Sequence, residues 1–244
     1  MSQRDQIYAM PTEQLEPFRF DERVAAVFPD MISRSVPGYG FVLEAITRFT
    51  RQLAQPYSRV YDLGCSLGAS TLALRAGISV PGVECIAVDN SAAMIDRARE
   101  YIGAFRSEVP VSLQLGDLRD CPIENASVVV MNFTLQFVPV EEREAVLLRI
   151  YKGLRPGGAL ILAEKIHHPS RRINELVQTA HLDFKRDQGY SELEISQKRQ
   201  ALENVLVTET LAAHQDRLSR IGFVEQAVFS QHYNFMALLA LKAE

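Results

Sequence analysis

Between Arg59 and Ser70 an apolar run breaks into a glycine-bounded turn, Gly64-Cys65-Ser66-Leu67-Gly68, and then resumes with helical composition. No other segment restricts the fold as much. Val60, Tyr61 and Leu63 read as a short buried strand, Gly64 and Gly68 let the backbone turn and approach a ligand closely, and Ala69 to Ala76 reads as helix. Such a unit predicts an α/β sheet whose ligand lies beyond the carboxyl ends of the strands.

The spacing separates three ligand classes. A dinucleotide loop needs Gly-x-Gly-x-x-Gly so that backbone N–H groups can cradle a pyrophosphate, but Ser66 stands at the second glycine and no Gly-Lys-Ser/Thr follows for a P-loop. Phosphate is therefore a poor fit. Gly64 to Gly68 also matches Gly-x-Ser-x-Gly, the nucleophile elbow of serine hydrolases, which would make Ser66 a nucleophile; that elbow does not normally follow a first strand, and no His-Gly-Gly-Gly segment precedes it. The third class is S-adenosyl-L-methionine (SAM), whose methionine end is an amino-acid zwitterion suited to Asp62 and the loop backbone.

The following strand ends favour SAM. Glu84 to Asn90 reads as a second buried strand ending at Asp89, at the distance from the glycines where nucleotide folds place a ribose-binding carboxylate. Leu113 to Asp117 is a third strand ending in Gly-Asp, with Asp117 able to accept from an adenine amino group, and Ser127 to Phe133 is a fourth that exposes Asn132. One polar strand end is ordinary turn chemistry. Three in succession form a rim.

The Asp-Leu-Gly-Cys-Ser-Leu-Gly motif, the Val-Asp-Asn and Gly-Asp strand ends, and Leu154-Arg155-Pro156-Gly157-Gly158 before an apolar strand resemble the class I SAM-dependent methyltransferases over roughly residues 55 to 165 and the last thirty or so. Longer strings resemble one branch, the carboxy-S-adenosyl-L-methionine (carboxy-SAM) synthases of tRNA wobble-uridine modification. They are Phe20-Asp-Glu-Arg-Val, Val27-Phe-Pro-Asp-Met-Ile, Arg34-Ser-Val-Pro-Gly-Tyr, Asn132-Phe-Thr-Leu-Gln-Phe and Gly189-Tyr-Ser-Glu-Leu-Glu-Ile-Ser-Gln-Lys-Arg. His167-His168-Pro169-Ser170 is not part of the resemblance. The resemblance implies that prephenate and SAM are converted to phenylpyruvate and carboxy-SAM, with the product able to co-purify. It implies cofactor contacts from Tyr39, Gly64, Cys65, Ser66, Asp89, Asn90, Asp117, Leu118, Asn132 and Arg199, Arg199 being the catalytic candidate that pairs with the added carboxylate. A homodimer is implied too. A conventional methyltransferase acting on a small molecule or tRNA would share every cofactor residue and is the alternative, with a Ser66 hydrolase second.

The expected fold is a Rossmann-like α/β sheet of the class I SAM-methyltransferase kind with a C-terminal antiparallel hairpin, all in one SAM-binding domain, 1–244. Residues 1–55 read as a mostly helical cap, with helices over Asp21 to Val27 and Phe41 to Leu53 and a Pro37-Gly38-Tyr39-Gly40 turn between them. The core is assigned to 56–165 and 214–244, and a polar helical insertion after the fifth strand to 166–213. Within the insertion, helical spacing over Glu192 to Leu206 aligns Ile195, Arg199, Leu202 and Leu206 on one face, so a guanidinium points the way the core does. It either pairs with a carboxylate such as Glu203 or awaits a ligand anion, since an unpaired buried guanidinium costs on the order of 3–5 kcal/mol.

Charge bears on partners. A net charge of −4 gives no basic footprint for nucleic acid, and the densest basic spots, Arg171-Arg172 and Lys185-Arg186, are flanked by Glu and Asp and read as solvated helix surface. A small-molecule enzyme with no direct nucleic-acid partner is expected. The longest apolar run, Phe235 to Leu241, is far shorter than the roughly 20 residues of a membrane span, and no apolar leader stands at the N-terminus. Cys65, Cys85 and Cys121 lack metal spacing, His167-His168 lacks companions, and a cytoplasmic enzyme without metal is the expectation.

Overall fold

The computed structural model describes residues 3–12 and 15–244. In chain order the elements are α1 (Glu22–Ser35), α2 (Tyr39–Leu53), β1 (Arg59–Leu63), α3 (Ala69–Gly77), β2 (Glu84–Asp89), α4 (Ala92–Gly103), β3 (Val111–Leu115), β4 (Ala126–Asn132), α5 (Val140–Gly153), β5 (Leu154–Lys165), α6 (Arg171–Asp187), α7 (Glu192–Ala201), α8 (Leu211–Ile221), β6 (Glu225–His232) and β7 (Phe235–Leu241). Among the described residues the strands form one sheet in the order β3-β2-β1-β4-β5-β7-β6. The first five are parallel, and β7 runs antiparallel between β5 and β6. The expected hairpin is therefore present.

Parallel central strands must be apolar on both faces, and β4 is buried from Ala126 to Met131. One core layer gathers Tyr61, Met131, Leu147, Leu160 and Leu218; the other gathers Ile46, Val60, Leu74, Val130 and Ile161. Helices thus cover both faces, and the polar strand ends collect at one edge. The Pro156-Gly157-Gly158 turn lies inside β5, where pairing to β4 jumps from Leu154 to Ala159.

The cap departs from its sequence reading in extent. α1 runs past Val27 through Pro29 to Ser35, opened by an Asp21 cap that accepts from Val24 N at 3.0 Å. Tyr39 already belongs to α2, and Gly38 at φ +79° makes the junction, where a Cβ would lie 2.2 Å from His232 Cδ2. The described residues before Glu22 carry no helix, and the two helices of the cap are both longer than the sequence reading gave them. That leading segment is a strap instead: Gln197 Nε2 donates to Tyr8 O at 2.8 Å and Met10 O at 3.0 Å, and Tyr190 donates to Asp5 at 2.6 Å. It ties the insertion to the cap above the strand ends.

Candidate active site

The loop after β1 is held by hydrogen bonds from its own first residues. Gly64 N and Cys65 N both donate to Val88 O, at 2.8 and 2.9 Å, and Ser66 N donates to Asp89 Oδ2 at 2.8 Å. Gly64 sits at φ +81° with Thr134 so close that a Cβ would stand 2.3 Å from its Cγ2, so only glycine fits. Asp89 also accepts from Ser91 N at 2.9 Å, and burial raises its carboxyl pKa against those bonds. Beneath the loop Asp62 is fully buried; Thr71 donates to Oδ2 at 2.6 Å and Oδ1 has no partner. Desolvation pushes this carboxyl up to about 7.

A cavity of about 530 Å³ opens at the strand ends and is lined by Gly64, Ser66, Asp89, Asn90, Asp117, Leu118 and Asn132, with Phe133 and Phe137 as apolar wall. Seven of the ten residues expected to touch the cofactor are thus brought together. Tyr39 and Cys65 line a neighbouring cavity of about 850 Å³ on the other side of the loop, and Ser66 borders both. The Cys65 thiol is buried and its pKa raised by desolvation. Asp117 is engaged by Arg119 at 3.0 and 2.7 Å, which holds its carboxyl below the usual range. Asn132 Nδ2 donates to Ser70 Oγ at 2.9 Å while its Oδ1 has no partner. The orphaned Oδ1 of Asn132, in the cavity wall, suits a ligand bearing an ammonium, hydroxyl or amino donor, as SAM does.

Arg199 lies differently from its sequence reading. It is exposed and borders neither cavity. α7 ends at Ala201 and the chain turns through Leu202 to Leu206, so the long helix that aligned Arg199 with those leucines is absent. The inward positions are Ile195, Lys198 and Ala201, so the cation facing the cavity is Lys198. Lys185 is a second correction. Read as solvated with Arg186, it is buried in the cavity wall, one turn beyond buried His181, while Arg186 pairs outward with Asp183 and Glu192. Lys165 at the end of β5 completes the set. Its signal, a polar strand end in register with the others, was available in the sequence. Lys185 and Lys198 carried none.

Residues 60–158 match the methyltransferase domain family. Over 243 residues, 100% of this chain and 98% of the relative, the sequence is 54% identical to the carboxy-S-adenosyl-L-methionine synthase of Aeromonas salmonicida (strain A449). The chain belongs to the carboxy-S-adenosyl-L-methionine synthase family. The synthase of Shigella boydii serotype 4 (strain Sb227) is 51% identical over 244 residues, 100% of this chain and 99% of the relative. Among solved structures, human N-acetylserotonin methyltransferase in complex with SAM is alike at a TM-score of 0.63 and 18% identity, covering 100% of this chain and 64% of that one, a likeness of fold alone. The fold is that of the class I SAM methyltransferases, and as a carboxy-SAM synthase the chain is a transferase with SAM as substrate.

The hydrolase reading gains no support in a carboxy-SAM synthase built this way. Ser66, in the left-handed region at φ +50°, donates its hydroxyl to Met94 Sδ at 3.4 Å, and among the described residues no histidine hydrogen-bonds to it. His181 bonds Ser35 O at 2.9 Å, His167 meets Thr208, and burial keeps His214 neutral with its pKa near 4. Among the described residues no group of three His, Cys, Asp or Glu side chains could hold a metal, and no helix is long and apolar enough to cross a membrane.

Proposed function

We propose that this carboxy-SAM synthase takes the carboxylate from prephenate and supplies the carboxymethyl donor for tRNA wobble-uridine modification. The observation that carries the reading is identity of about half the residues over the full length of synthases bearing that name, joined to a cavity whose one end is a carboxylate and amide rim and whose other end is cationic. Chemically, the prephenate ring loses carbon dioxide as the C–C bond breaks, the electron pair aromatises the ring, and hydroxide leaves. That hydroxide removes a proton from the sulfonium methyl to give water. The resulting carbanion, stabilised by the adjacent positive sulfur, forms the new bond to carbon dioxide.

In this reading Asp89 accepts the ribose hydroxyls beside Asn90, Asp117 and Leu118 hold the adenine, and Gly64, Cys65, Ser66 and Asp62 face the methionine end. Asn132 and Tyr39 complete the cofactor contacts, and Arg199 pairs with the added carboxylate. The chain works as one SAM-binding unit, forms a homodimer, acts in the reducing cytoplasm and hands its product on without holding tRNA itself. The three buried free thiols and the net charge of −4 support those last assignments.

The test uses prephenate labelled at its ring carboxylate, incubated with pure protein and SAM without nucleic acid. Label should appear on carboxy-SAM in step with phenylpyruvate, and carboxy-SAM should also be the small molecule that co-purifies. Label found only in bicarbonate, or S-adenosylhomocysteine as the sole cofactor product, would return the chain to conventional methyl transfer.

A further inference from the structure

The cavity ends on positive charge that the protein leaves unneutralised. Lys165 arrives on β5, Lys185 on α6 and Lys198 on α7, and all three line the same space. Lys198 is matched, with Nζ 3.0 Å from Ser35 Oγ and 3.5 Å from Asp5 Oδ2. Arg34, nearby on α1, is matched by Asp30 at 3.0 Å. Lys165 and Lys185 have neither a carboxylate nor a hydrogen-bond acceptor for their ammonium groups among the described residues; Lys165 Nζ stands 5.8 Å from the centroid of the Phe235 ring. Glu164, the preceding residue on β5, offers no counter-charge: its Oε1 accepts from Leu135 N at 2.9 Å, and burial pushes its carboxyl up to about 8, so it is neutral at pH 7.

We infer that Lys165 and Lys185 are the receiving pair for a dianionic dicarboxylate on an apolar carbon frame, positioned against the SAM rim. The inference rests on the proposed reaction and names the residues that orient its second substrate. Two surplus ammonium groups match two carboxylates, and the walls between them are aromatic, from Phe133, Phe137 and Phe235. Lys185 lies in the last turn of α6, so no helix N-terminus there supplies the N–H donors that favour a phosphate. The pair also suits turnover. SAM and prephenate bring three carboxylates and carboxy-SAM and phenylpyruvate take three away, so the number of carboxylates in the cavity is the same before and after the transfer.

The groups facing Lys185 are Lys198 and Arg199 from α7, Lys165 from β5 and His181 from its own helix, against one carboxylate, Asp5. With burial, they lower its pKa to about 7 and keep His181 neutral near 3. Binding of the dianion then takes up a proton above neutral pH.

Lys165→Met and Lys185→Met, with Lys185→Arg as the charge-retaining control, are compared by initial rates against prephenate at saturating SAM and by calorimetry for SAM alone. Each methionine variant should raise the KM for prephenate at least tenfold, leave the SAM Kd within about twofold, and raise the thermal midpoint of the ligand-free protein because an unpaired charge is gone from the cavity wall. Lys185→Arg should restore much of the affinity and flatten its loss at alkaline pH. Unchanged KM in both methionine variants overturns the lysine pair while leaving prephenate as substrate. A wild-type protein inert toward prephenate, yet stabilised by phthalate in a lysine-dependent way, keeps the pair and removes the prephenate reading. A methionine variant that loses thermal stability and SAM binding together assigns that lysine a structural role and overturns the inference for it.

Discussion

The SAM rim and the cationic end of the cavity differ in how their polar groups are satisfied. At the rim Asp89 accepts from Ser66 and Ser91, Asp117 is clamped by Arg119, and Asn132 holds Ser70, all within a frame of parallel strands and short turns. At the other end Lys165 and Lys185 hold no such partners among the described residues, one at the end of β5 and the other in the last turn of α6. A set pre-organised by its own backbone can bind a zwitterionic cofactor without rearrangement. A set of surplus charges stores electrostatic cost until an anion arrives. The rim should therefore be sensitive to geometry, and the cationic end to charge and pH.

The sharpest break of this contrast is Asp89→Ala. It removes the carboxylate proposed to accept from ribose and releases two backbone donors that shape the loop, and charge-assisted hydrogen bonds are worth about 1.5–3 kcal/mol each. SAM affinity by calorimetry should fall by about tenfold to a few hundredfold. Unchanged affinity would take Asp89 out of the site.

Next comes pH. With Lys185 lowered to about 7 by burial and by Lys198, Lys165 and Arg199, apparent affinity for prephenate should drop by up to about tenfold per pH unit above 7 while SAM affinity stays level. Calorimetry in two buffers of different ionisation enthalpy should register proton uptake near pH 8. Equal pH dependence at both ends would erase the distinction.

Arg199→Ala should be milder. The side chain is exposed, so the thermal midpoint should hold, and an exposed pair worth up to about 1 kcal/mol gives a loss of carboxy-SAM affinity near fivefold or less. Because Arg199 repels both Lys165 and Lys185, its removal should also move the pH profile toward higher pH. A loss above a hundredfold would mean that the guanidinium is buried against ligand in the working enzyme.

The smallest effect on catalysis is expected from Glu164→Gln, since Glu164 faces Leu135 N and lends Lys165 no charge. Its pKa is raised to about 8 chiefly by desolvation, so the folded state holds a proton that the unfolded state releases above about 4.3. Its stabilising contribution is full below that value and is lost progressively as pH rises to about 8. Denaturation of the variant against wild type should show a gap that grows in favour of glutamine across that window, with the prephenate KM unchanged.

Much of the rim was legible in the sequence because its geometry is local. A buried strand that ends in Asp89 or Asn132 delivers that side chain to the sheet edge whatever the helices do, and Gly64 marks where a ligand loop must turn. Lys165 obeyed the same rule at the end of β5. The helical insertion was a different problem, because each residue along a helix turns the side chain by about 100°. Lys185 shares its string with Arg186 and Lys198 with Arg199, and composition cannot choose which of two adjacent cations faces inward.

The sequence by itself determined the sheet, the glycine loop, the acidic and amide strand ends and the family. Tertiary structure decided which cations the cavity receives. Packing of Ala201 against the cap, with Ile195 buried on the same helix, fixes the phase of α7, and the strap carries Asp5 across 193 residues to Lys198. Whether a charge is paired depends on such long-range contacts, which spacing along the chain does not encode.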